Sequence, residues 1–242
     1  MRPYPSSAIR VFLSLAAICL TGTAMASSSN KSIRIADGAE TGGRSTVNGS
    51  ITVGDNAVVD GSITTVNGSI TVNKDSRVKD AETVNGSIRM GRGVAAGNVE
   101  SVNGEIRLDE NVSIAGVVSV VNGKITMGKG CRVSDDVSNV NGNVSISSSE
   151  IGGDLGTVNG DITLTDNSVL HGKLTVEKPG GWNWNKTNRR KPRVVIGPGV
   201  QVMGSIHLER EVDLFISETA KVSGVSGKMS MDEAVLFSGP QP

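Results

Sequence analysis

The chain has 242 residues, 37% of them hydrophobic but only 2% aromatic, and 31 are glycine. Aromatic rings supply much of the buried area of an ordinary globular core, so the composition excludes a broad core and favours a narrow one filled by Val, Ile and Leu. The formal net charge is zero, which gives no global field for nucleic acid or a membrane surface.

The N-terminus predicts a secretory signal peptide over residues 1–26. Arg2 and Arg10 supply a positive start, residues 11–20 are apolar, and Ala24-Met25-Ala26 gives the small-x-small cleavage pattern. The apolar run is too short to span a bilayer, and no transmembrane segment is expected in the mature chain. Cleavage leaves 22 basic and 24 acidic residues and one cysteine, Cys131. A lone thiol forms no internal disulfide. The expected location is periplasmic, envelope-associated or secreted.

From residue 47 the chain repeats. Val-Asn-Gly recurs with its asparagine at Asn48, Asn67, Asn85, Asn103, Asn122, Asn141 and Asn159, at steps of 19, 18, 18, 19, 19 and 18 residues. We count the residue before each Val as position 1. Aliphatic residues then fall at positions 6 and 8 (Ile51 and Val53, Ile70 and Val72), at position 14 (Val59, Val78) and near position 18 (Ile63, Val118, Val137, Leu174). Position 12 is small or modest, as in Ala57, Ser76 and Cys131. The sixth repeat slips, with Ile151 and Leu155 taking its inward slots. Alternation at period two marks one face of a strand, so each unit holds three short strands. Gly, Asn and Asp at positions 9–11 mark a turn. Asn-Gly at positions 3–4 marks another, read here as a site of positive φ.

Identical residues at a fixed phase suit strands stacked at about 4.8 Å. Asparagines in one column are then expected to bond amide to amide along the stack. The predicted fold is all-β: a single-stranded parallel β-helix solenoid of about ten 18–19-residue coils over residues 27–227, with a tail or cap over 228–242. Ile33, Ile35 and Ala39 extend the grid upstream. Ile196, Val200, Val202 and Ile206, then Leu214, Ile216, Ala220 and Val222, extend it downstream. One coil cannot offset the entropy of ordering its own backbone, so stability comes from neighbour on neighbour.

The stretch from Val194-Val195-Ile196-Gly197-Pro198-Gly199-Val200 through Gln201-Val202-Met203-Gly204-Ser205-Ile206 resembles the bactofilins, the polymer-forming cytoskeletal family. Asp60-Gly61-Ser62-Ile63 echoes the same phrase. The Val-Asn-Gly-x-Ile units are also similar to adhesin-type β-helix domains of bacterial envelope proteins. The resemblance covers most of residues 31–227. It implies a right-handed helix and end-to-end polymerisation without nucleotide.

Residues 177–193 break the period. They hold both tryptophans, Trp182 and Trp184, and six basic residues against one acid. Solenoid insertions leave the stack as surface loops, often on a binding face. Trp182, Trp184, Lys186, Arg189, Arg190, Lys191 and Arg193 are therefore the candidate binding loop for an anionic envelope component, a lipid headgroup or a glycan. The plain alternative is a solvated loop whose tryptophans cover apolar side chains of the rod.

No catalytic, cofactor or metal site is expected. His171 and His207 fall beside ladder positions and should point outward, and Cys131 takes a small buried slot. Asp135 and Asp136 are adjacent, so strand geometry points them opposite ways. The functional expectation is an exported, non-enzymatic, structural or adhesin-like envelope protein. Its open strand edges invite self-assembly, and no specific nucleic acid is expected as partner. The alternative carried beside it is a polysaccharide-active enzyme on the same scaffold.

Overall fold

The computed structural model describes residues 30–179 and 190–242. The expected signal peptide and Trp182, Trp184, Lys186 and Arg189 lie outside these residues.

The chain is a parallel β-solenoid of about ten turns. Every strand pairs in parallel with its equivalent one turn away. The strands form three flat faces. The first carries positions 6–8 and is an eleven-stranded sheet running from Ile33–Ile35 to Val235–Phe237. The second carries positions 13–14. The third carries the strands that end on asparagine, such as Val99–Asn103. The second and third faces share one 18-stranded sheet, because Glu40–Thr46 and Val58–Asn67 run unbroken around the corner between them.

Inside, the residues stack in columns. Ile51, Ile70, Ile88, Ile106, Ile125, Val144 and Ile162 follow one another in register on the first face, all at most 1% exposed. Ile151 pairs with Val133 and Leu155 with Val137, so the slipped repeat keeps its inward slots. The stack also survives the insertion. Ile162 pairs with Val194 across it, and Leu174 pairs with Ile206.

The two turns have different physical causes. At position 11 the backbone is left-handed: Asn56, Asp75, Gly93, Asn111, Gly130 and Asn167 have φ between 55° and 75°. Gly, Asn and Asp tolerate that region, which explains their use there. The Asn-Gly corner at positions 3–4 corrects the sequence reading in part. None of its asparagines has a positive φ, and among its glycines Gly104 and Gly142 do, at 156° and 131°. Glycine is required there by close approach. A Cβ on Gly68, Gly86, Gly104, Gly123, Gly142 or Gly160 would run into the carbonyl oxygen of the equivalent glycine one coil earlier.

Residues 228–242 extend the stack by a partial turn. A 3₁₀ turn, Met231–Glu233, leads into Val235–Phe237, which pairs with the Asp213–Ser217 strand. Leu236 lies in register with Ile216, at the end of the inward position-8 column. It is nevertheless 63% exposed.

Candidate functional site

The third face and the corner beside it carry the most ordered chemistry on the rod. At the corner, each asparagine Nδ2 donates to the Oδ1 of the asparagine one coil earlier. Asn67 to Asn48 spans 2.8 Å; the bonds from Asn85, Asn103, Asn122, Asn141 and Asn159 each span 2.9 Å. Asn30 begins the ladder, accepting from Asn48 at 3.0 Å. Arg210 ends it, donating to Asn159 Oδ1 at 3.2 Å. Sequence reasoning missed both ends, since neither sits in a Val-Asn-Gly phrase.

A second column lies just inside the corner. At position 1, the hydroxyls of Thr65, Thr83 and Ser101 donate to the carbonyls of Gly49, Gly68 and Gly86, at 2.8–3.1 Å. Asn139 Nδ2 does the same to Gly123. The glycine that permits close stacking thus presents a carbonyl that the core must satisfy, and a small polar side chain at position 1 satisfies it.

The opposite corner is stitched by carboxyl and amide side chains. Asp80 accepts from the Asn98 backbone N–H, Asp136 from Asp154, and Asp154 from Lys173, at 2.7–2.9 Å. Asp136 is therefore structural, while Asp135 is exposed. His171 also points outward. Its Nε2 lies 2.8 Å from Glu150, which accepts from Arg132 as well; these bonds hold the Glu150 carboxyl below its usual range. Cys131 is buried and its Sγ donates to the Asp109 carbonyl; burial pushes its thiol pKa up.

The outer surface of the third face carries two parallel columns. Position 2 gives an outward valine stripe: Val47, Val66, Val84, Val102, Val121, Val140 and Val158. The valines were legible in the repeat, but not their direction. Val47 and Val66 are 37% and 38% exposed, and Val121 and Val158 are 7% exposed. The adjacent column runs Thr64, Glu82, Glu100, Ser119, Ser138 and Gly156 in register. Two long side chains, Glu82 and Glu100, stand next to each other among small ones. Burial, then the charges of Glu100 and Asp80, push the Glu82 carboxyl up to about 7. The Ser119 hydroxyl is buried without a hydrogen-bond partner.

The described part of the basic segment is tied to the rod's own acids. Arg190 pairs with Asp161 at 2.7 Å and Lys191 with Glu211 at 2.8 Å. The Arg193 guanidinium lies 4.7 Å from the Phe215 ring centre. Asn143, Asn159, Asp161, Arg190, Lys191 and Arg210 line a cleft of about 410 Å³ where the ladder ends.

No protein family, curated protein or solved structure matches the chain.

Proposed function

We propose that this chain is an exported structural rod of the bacterial envelope, bactofilin-like or adhesin-like in kind, that extends itself by stacking end on end. The observation that carries the reading is Leu236. It continues the register of the inward position-8 column yet is 63% exposed. Val235–Phe237 is the edge strand of the eleven-stranded sheet, and another coil would pair its free edge and cover Leu236. In this reading the basic segment attaches the rod to an anionic envelope component. With Arg190 and Lys191 engaged by Asp161 and Glu211, that role falls mainly to the other cations of the segment. Sedimentation velocity of the wild type and of Leu236→Lys tests the stacking. Concentration-dependent growth in the wild type, lost in the variant, supports it; identical single species reject it.

One observation favours a second reading, a polysaccharide-active enzyme. Glu82, pushed up to about 7 beside Glu100, has the protonation a general acid needs, with a second carboxyl at hand. Cleavage of a glycan by the wild type and its loss in Glu82→Gln would support this reading. No turnover on a broad glycan panel would reject it.

A further inference from the structure

Two arginines stand side by side on the outer surface of the first face. Arg89 and Arg107 occupy position 7 of adjacent coils and are paired in register. The coils on either side place Thr52, Thr71, Thr126, Ser145 and Thr163 in the same column. Threonine suits such a strand position, and like charges directly opposite on neighbouring strands destabilise a sheet. The arginine pair therefore departs from the rule the rest of the face follows. Such departures gather at functional sites.

One carboxylate serves both arginines. Asp109 Oδ2 accepts from Arg89 Nε at 3.1 Å and from its Nη2 at 2.8 Å, and Asp109 Oδ1 accepts from Arg107 Nε at 3.0 Å. Both arginine side chains remain more than half exposed, at 58% and 53%. Arg107 and Asp109 line a groove of about 410 Å³, together with Arg92, Glu110, Thr126 and Lys129. Arg92 and Lys129 form no ion pair among the described residues. Four cations thus meet two carboxylates, and the groove keeps a net positive charge.

We propose that this groove binds a phosphate group, held by Arg89 and Arg107 with Arg92 and Lys129 at its rim. The class of ligand follows from the donors. A guanidinium presents a planar fork that matches the oxygens of phosphate. Two forks on strands about 4.8 Å apart reach different oxygens of one tetrahedral group. A phosphate monoester carries about −1.5 to −2 charges at neutral pH, which balances the excess of cations. Leu108, the apolar residue of the lining, is only 1% exposed, so nothing here would enter a bilayer. The phosphate is therefore one on a soluble ester or polymer, not a lipid headgroup. The site is separate from the basic segment and does not rest on the reading above.

The test is titration of the purified protein with inorganic phosphate, followed by the backbone amide NMR signals of residues 107–110 and 126–129. The wild type should show saturable shifts. Changing Arg89→Thr and Arg107→Thr together should weaken binding at least about tenfold, since two charge-assisted bonds are lost. Threonine is the residue of the flanking coils, so this variant should melt no lower than the wild type. Asp109→Asn should bind phosphate more tightly and melt lower. Changing Lys186, Arg189 and Arg190 to Ser should leave these shifts as they are, which separates this site from the basic segment. Vesicles of phosphatidylglycerol and phosphatidylcholine should not compete with phosphate. No saturable shift in the wild type, or equal affinity in the folded double variant, would overturn the site. A double variant that melts well below the wild type would show that the arginines serve the stack instead. Competition by the vesicles would overturn the choice of a soluble phosphate.

Discussion

Arg210 closes the asparagine ladder: its Nη1 donates to Asn159 Oδ1 at 3.2 Å and to the Val158 carbonyl at 3.3 Å. The insertion takes the place where the next asparagine rung would stand, and Arg210 comes from the coil beyond it, 51 residues after Asn159. The ladder is thus an amide chain ended by a guanidinium, rather than a row of separate side chains.

A break in the middle of such a chain should cost more than one at its end. Asn103→Ala loses a donor to Asn85 and an acceptor from Asn122. At the low end of net hydrogen-bond worth, that is about 1–2 kcal/mol. Asn103→Asp should cost more, because it sets a carboxylate against the Asn85 carbonyl oxygen. Arg210→Ala should cost about half as much as Asn103→Ala. Urea denaturation of the three variants checks the order Asp, Ala, Arg210→Ala.

Two glycines give a sharper contrast. Gly86→Ala drives a Cβ into the Gly68 carbonyl, against backbone with no side chain to yield and at a φ that alanine can adopt. A loss of more than about 3 kcal/mol is expected. Gly156→Ala, on the same face, meets open space and should be neutral or slightly stabilising. Equal effects of the two would show that close stacking is not what selects glycine at position 4.

Glu82 makes the fold sensitive to pH. Its folded pKa is raised from 4.5 to about 7, chiefly by burial. The folded state therefore holds this proton more tightly than the unfolded state does. The resulting stability is fully present below about pH 4.5 and is lost as pH rises toward 7. Glu82→Gln should leave the melting temperature unchanged at pH 4 and raise it at pH 8. Thermal melts at the two pH values decide the matter, and a variant less stable than wild type at pH 8 would contradict the assignment.

Much of the fold was legible because stacking forces chemically equivalent residues to recur at one phase. The 18–19-residue period, the inward Ile and Val columns, and the slipped slots at Ile151 and Leu155 all follow from that constraint. The corner at positions 2–4 was harder to read. Alternation assigns in and out only along a straight strand, so it could not say that Val84 and Val102 face outward while Thr83 and Ser101 face inward. The glycine there was open to two explanations, torsion or approach, and only the neighbouring coil tells them apart. Arg210 was illegible for another reason: it reaches the ladder from outside the repeat. The Glu82–Glu100 pair is plain only once the register sets two residues 18 apart side by side.

Electron cryomicroscopy of the purified protein over a concentration series tests the proposed end-on stacking most directly. The expected result is rods one solenoid wide that lengthen with concentration, with axial layers at about 4.8 Å running unbroken across each junction. Particles that keep the length of a single rod at every concentration, or junctions where the layer spacing is interrupted, would contradict it.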